Sequence, residues 1–139
     1  MMKLTKFILI FILLPNFTFA KTNYFSEGLM YYKKKEFDKA KFKFEQDIVF
    51  NPKSEKAYLY LSKIFNSQDN KDLEEKNLKT VILLNPRNEE ANYNLAELKL
   101  KSSDFKGSKQ LIDKLLVFCK EYCVKGQNLK IKIANSLKK

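Results

Sequence analysis

The chain has 139 residues but no histidine and no tryptophan, and only three glycines, three prolines and two cysteines. Without histidine the commonest general base and the commonest zinc ligand are both missing. Three scattered glycines cannot form a phosphate-cradling loop, and no serine stands in a nucleophile motif beside a base. Cys119 and Cys123 cannot complete a four-ligand metal site alone, and their three intervening residues are not the two of redox dithiols. Arginine is almost absent too: Arg87 is the only one among 27 basic residues. Arginine is the better fork for phosphate, and a chain also heavy in Asn, Ile, Phe and Tyr has the joint bias of an AT-rich genome, so dedicated nucleic-acid binding is not expected. No catalytic residue, metal or cofactor is expected, and the chain reads as a non-enzyme.

What is present begins with a leader. Lys3 and Lys6 precede an unbroken apolar run, Phe7 to Leu14, which Pro15 interrupts, and Thr18-Phe19-Ala20 puts small residues at the two cleavage-critical places. Residues 1–20 therefore read as a secretory signal cut after Ala20, with export to a bacterial periplasm or cell envelope. The competing reading, an uncleaved membrane anchor, is disfavoured because the apolar stretch falls short of the ~20 residues a span needs. No cysteine follows the run to take a lipid. Beyond the leader, 45% apolar content with little Gly or Pro suits a compact helical domain. Net charge is +11, unevenly spread. Lys33, Lys34 and Lys35 cluster near the start, residues 55–90 are nearly balanced, and after Glu121 there are lysines and no acid.

The strongest pattern is a repeat. Asn51-Pro52-Lys53-Ser54-Glu55-Lys56-Ala57-Tyr58 and Asn85-Pro86-Arg87-Asn88-Glu89-Glu90-Ala91-Asn92 agree in type and lie 34 residues apart. Phe37 and Phe105, two periods apart and each beside an acidic residue, support the same register. It divides the chain into units at 21–54, 55–88 and 89–122 and a tail at 123–139. The first unit carries Tyr24, Gly28, Tyr31, Ala40, Phe44 and Pro52. The second carries Tyr58, Leu61, Ser62, Phe65, Leu78 and Pro86, with Glu74 where a small second-helix residue is expected. The third keeps Leu95, Ala96, Ser108 and Ile112 but has Asn92, Lys99 and Lys120 at three key places. This spacing resembles the tetratricopeptide (TPR) repeat. The resemblance covers essentially all of residues 21–139 and implies an all-α, right-handed helical solenoid of three helix-turn-helix repeats plus a C-terminal capping helix.

Local chemistry agrees with that register. Pro52 and Pro86 stop the second helix of a unit, and Ser54 and Asn88 are placed to cap the helix that follows, with Glu55, Glu89 and Glu90 favourable against its dipole. Gly28, Ser62 and Ala96 are small enough for paired helices to approach closely. In the tail, Gly126 is expected to end the third unit's second-helix region, and Leu129, Ile133 and Leu137 recur every four residues as the apolar face of a capping helix. Cys119 and Cys123 form either a structural disulfide or a pair of packed thiols; a bridge needs a break in the helix between them. Glu74 and Glu75 read as part of a solvated face.

Function follows from the resemblance. In TPR proteins the first helix of each unit lines the concave surface, and transferring those places yields a partner-binding groove of Phe25, Leu29, Tyr32, Lys33, Leu59, Lys63, Asn66, Tyr93, Glu97, Leu100 and Lys101. The partner implied is another protein or a peptide segment, held through apolar contacts at Tyr32, Leu59, Tyr93 and Leu100. The alternative for the same stripe is packing against neighbouring helices. A second function class is a basic peripheral protein whose lysine-rich ends, Lys33–Lys35 and Lys125–Lys139, contact anionic lipid or an acidic polymer. Self-association through the first unit stays open.

Overall fold

The computed structural model describes residues 23–138; the expected leader lies outside the described residues. Seven helices follow one another: α1 Tyr24–Lys33, α2 Phe37–Phe50, α3 Glu55–Ser67, α4 Lys71–Leu84, α5 Glu89–Lys101, α6 Phe105–Phe118 and α7 Cys123–Ser136. Among the described residues there is no strand. Helices adjacent in sequence pack on one another, and α7 lies on α6 while also reaching α5.

The 34-residue period is written into the backbone as well as the side chains. Lys35, Asp69 and Ser103, one period apart, are the non-glycine residues with positive φ (60°, 52° and 62°), each in the short turn inside a helix pair. Each of these pairs reverses direction through the same left-handed residue. The connections between pairs are equally regular. α2 and α4 end at Phe50 and Leu84, with Pro52 and Pro86 just beyond. Asn88 caps α5 as expected, its side chain accepting from the Ala91 amide at 2.7 Å. Ser54 departs from expectation: it stands at the N-cap of α3 but makes no side-chain capping bond, and its hydroxyl instead donates to the Asp47 carboxylate. The charged partner outcompetes the backbone amide.

Glutamates at the start of α3 and α5 tie each pair to the next. The Glu55 carboxylate accepts from the side-chain amides of Asn85 and Asn88. One period on, Glu89 accepts from the backbone amides of Lys120, Glu121 and Tyr122 at 2.8, 2.9 and 2.9 Å, and these bonds hold its carboxyl below the ordinary carboxylate range. That second turn has Lys120 in place of proline. The Cys119–Cys123 disulfide closes the same turn, its Cα atoms 5.3 Å apart across the break between α6 and α7. Glutamate and disulfide together do there what Pro52 and Pro86 do elsewhere.

Burial explains why no pair stands alone. Ala40 and Phe44 of α2 share a cluster with Ala57, Leu61, Ile64 and Phe65 of α3. Leu59, Leu78 and Val81 join Ala91, Leu95 and Leu98 of α5. Ala96, Ile112 and Leu115 join Leu129 and Ile133 of α7. Each apolar cluster is thus completed by the following pair or helix. Gly126 does not end a helix region as expected. It is buried inside α7, where an added Cβ would lie 3.2 Å from the Leu116 side chain. Leu137 is likewise not part of the apolar face: α7 ends before it, and it is 56% exposed.

Candidate functional site

The first helices of the pairs line a concave cleft of about 460 Å³. Its walls are Tyr32 from α1, Ser62, Lys63, Asn66 and Ser67 from α3, and Glu90, Asn94, Glu97 and Lys101 from α5, with Glu74 reaching in from α4. The lining is polar and cross-braced. Lys63 pairs with Glu90 at 2.8 Å, linking α3 to α5, and its ammonium sits 4.7 Å from the centre of the Tyr60 ring. Asn66 donates to Glu74 Oε1 at 3.0 Å. Tyr93 donates its hydroxyl to Glu97 Oε1 at 2.9 Å, and burial followed by that bond pushes the phenol up to about 12. Edge-on packing of Tyr32 against Tyr60, 5.0 Å between ring centres, fixes the remaining aromatic wall.

Five residues of the groove expected from sequence meet here: Tyr32, Lys63, Asn66, Glu97 and Lys101. The apolar contacts expected beside them do not. Leu59 is buried in the second cluster, and Phe25 packs between Phe44 and Tyr60 with ring centres 5.6 and 5.8 Å away. Tyr93 stacks obliquely on Tyr122, and Tyr93 and Leu100 pack against the third cluster. Leu29 is half-buried and Lys33 exposed, and neither lines the cleft. These apolar side chains on α1, α3 and α5 face neighbouring helices, because each solenoid layer must cover the one beside it.

Sequence reasoning missed Ser62, Ser67, Glu74, Glu90 and Asn94 as lining residues. Ser67 lies one period from both Lys33 and Lys101, so the register itself contained the signal. Glu74 is the larger correction: it is 5% exposed, not part of a solvated face. It occupies the place held by Ala40 and Ser108 in the other pairs, both fully buried, and its mismatch with that small position was legible. Desolvation raises its pKa above the ordinary glutamate value, opposed by the Asn66 bond and the field of Lys101. Its neighbour Glu75 behaves oppositely. Hydrogen bonds from Lys79 and Lys99 lower its pKa, and the 2.8 Å contact with Lys99 ties α4 to α5. Lys99 replaces an aromatic of the repeat pattern, and this ion pair supplies a cross-link in its place.

No protein-family model and no curated protein matches the sequence. Solved structures do. The first TPR of Spaghetti (RPAP3), bound to the HSP90 peptide SRMEEVD, superposes with a TM-score of 0.75 at 14% identity, covering 84% of this chain and 91% of that one. The Sgt2 TPR domain from Aspergillus fumigatus gives 0.70 at 17% identity, covering 84% and 80%. A chain of the CopN-Scc3 complex gives 0.64 at 15% identity, covering 81% and 65%. At such identities the likeness speaks to architecture, and with the 34-residue register and the helix pairing it establishes that this chain has the all-α solenoid fold of TPR proteins.

Proposed function

We propose that the protein is a non-enzymatic interaction scaffold whose concave cleft holds a segment of another protein. The observation that supports this most is the cleft itself, an open concavity with hydrogen-bonding groups from three successive helix pairs, on the fold that in the Spaghetti structure is bound to a peptide. That peptide, SRMEEVD, carries more acid than base. An acidic segment would meet Glu74, Glu90 and Glu97 here, so the partner differs in chemistry. The cleft's polarity also changes the expected mode: affinity comes from hydrogen bonds and charge, with less from an apolar stripe. The leader reading places this activity in a bacterial periplasm or envelope. The test is capture of a partner from an envelope extract by the protein and by two variants. Lys63→Glu/Asn94→Arg should abolish retention, and Lys41→Glu on α2 should leave it intact. Equal retention by all three would refute the cleft as the binding surface.

One observation favours a second reading. Val49, Leu83 and Val117, spaced by the repeat, are 74%, 81% and 85% exposed near the C-terminal ends of α2, α4 and α6. Lys53, Arg87 and Lys120 follow them in the turns. Aliphatic side chains beside cations suit contact with an anionic lipid surface, at a different place from the lysine-rich ends. Cosedimentation with vesicles containing phosphatidylglycerol, lost on Val49→Ser/Leu83→Ser/Val117→Ser, would support it. Binding that ignores this variant and disappears in salt would instead assign it to unspecific charge.

A further inference from the structure

We propose that the cleft is a receptor for a cationic side chain, the guanidinium or ammonium of an arginine or lysine in the bound segment, seated between Glu74 and Glu97. This rests on reading the cleft as a site for a protein segment, and adds the chemistry that the segment must carry. Glu74 is the only second-helix residue in the lining, and it stands where the other pairs bury alanine or serine. A carboxylate 5% exposed is costly unless paired. Its Oε1 takes the Asn66 amide; among the described residues Oε2 has no hydrogen-bond or ion-pair partner. Glu97 is similar: Tyr93 occupies Oε1, and no cation among the described residues pairs with it. Lys63, by contrast, is already neutralised by Glu90.

The cleft therefore carries two carboxylates lacking a cation within ion-pair distance, with only Lys101 in their field. No group of acidic residues among the described ones is arranged to hold a metal ion, which leaves an organic cation as the fitting occupant. The setting sharpens the selection. The chain bears +11, so a cationic side chain is repelled from most of the surface and attracted at this one concave place. Tyr32 on the adjoining wall presents an aromatic ring against which a guanidinium can lie. Lys101 is the built-in competitor, weakening the attraction that an incoming cation feels.

The test uses the ¹⁵N-labelled full chain titrated with N-acetyl-arginine amide and with its neutral isostere N-acetyl-citrulline amide, followed by NMR. The arginine probe should shift the side-chain amides of Asn66 and Asn94 saturably, and the citrulline probe should not. Glu74→Gln and Glu97→Gln should each weaken binding about tenfold or more, and Lys101→Ala should strengthen it. Both glutamine variants keep the acceptor oxygens used by Asn66 and Tyr93, and the first also removes a buried charge, so both are expected to fold. Absence of shifts at these amides, equal shifts from citrulline, or indifference to both glutamine variants would overturn the proposal. Panning a random twelve-residue displayed library on the same chain separates the two readings. Cleft-bound peptides without enriched arginine or lysine overturn the cation site and leave the scaffold standing. Failure to enrich any peptide counts against the scaffold, while saturable binding of the arginine probe still sustains the cation site.

Discussion

Gly28→Ala is the sharpest probe of the packing, because two effects of known sign oppose each other there. Gly28 lies inside α1, where replacing glycine by alanine ordinarily stabilises a helix by about 1 kcal/mol. A Cβ at this position would stand 2.7 Å from both Cδ1 and Cε1 of Phe44 and 3.1 Å from Cζ. Comfortable carbon contacts need about 3.5–4.0 Å, so the ring must retreat by nearly an ångström. It has little room: Phe44 is fully buried, with Tyr60 stacked at 5.3 Å and Phe25 at 5.6 Å. Overpacking of this kind costs about 1–3 kcal/mol, and the contact geometry argues for the upper half of that range. The net expectation is a loss of about 1–2 kcal/mol. In a Phe44→Leu background the obstructing ring is gone, and Gly28→Ala should become stabilising by up to about 1 kcal/mol. Urea unfolding followed by circular dichroism on the four proteins of the cycle measures the coupling, expected at about 2–3 kcal/mol. If Gly28→Ala stabilises the parent chain, or if the coupling is below about 0.5 kcal/mol, then Gly28 is not there to admit Phe44.

Three further outcomes are expected. Reducing the Cys119–Cys123 bridge, or replacing both cysteines by serine, should cost about 2 kcal/mol for so short a loop and loosen α7 first; amide exchange in α7 that is unchanged on reduction would contradict this. Lys35→Gly, Asp69→Gly and Ser103→Gly relieve left-handed backbone at φ 60°, 52° and 62°. Each should stabilise by about 0.5–1 kcal/mol after the added chain entropy of glycine, and the three should be nearly additive in denaturant unfolding because the turns are far apart. In alkaline titration followed at tyrosinate absorbance, Tyr93 should ionise late, near pH 12. Its phenol holds a proton in the folded state that the unfolded chain releases near pH 10, so its stabilising contribution falls as pH rises between those values. Tyr93→Phe should delete the late step, and an unchanged titration curve would assign that step elsewhere.

Much of the architecture is settled by interactions between near neighbours in the chain, and was legible for that reason. Helix ends depend on proline, caps and turns within a few residues, so Pro52, Pro86 and Asn88 mark boundaries without knowledge of the rest. Size complementarity was visible through the period as well. Gly28, Ser62 and Ala96 hold one place of the repeat while Phe44, Leu78 and Ile112 hold another, and the largest side chain is matched by the smallest. The cleft was only half legible. The repeat register names the helices that face inward, but a helix such as α1 is apolar on two sides, and only stacking decides which side is covered. Stacking took Phe25, Leu59, Tyr93 and Leu100 into the clusters and left Lys63, Asn66, Glu97 and Lys101 around a polar cavity. Glu74 shows the limit most clearly. A glutamate within a charged run looks solvated until the neighbouring pair closes over it, and its desolvation belongs to the assembled solenoid. The same holds for Gly126, whose role inside α7 depends on Leu115 and Leu116 from the preceding helix. The sequence by itself determined the period, the helix ends and the kind of fold, because those follow from short-range backbone chemistry repeated every 34 residues. Only the tertiary structure decided which side chains face the cleft and which charges are buried there, because both depend on what the adjacent layer covers.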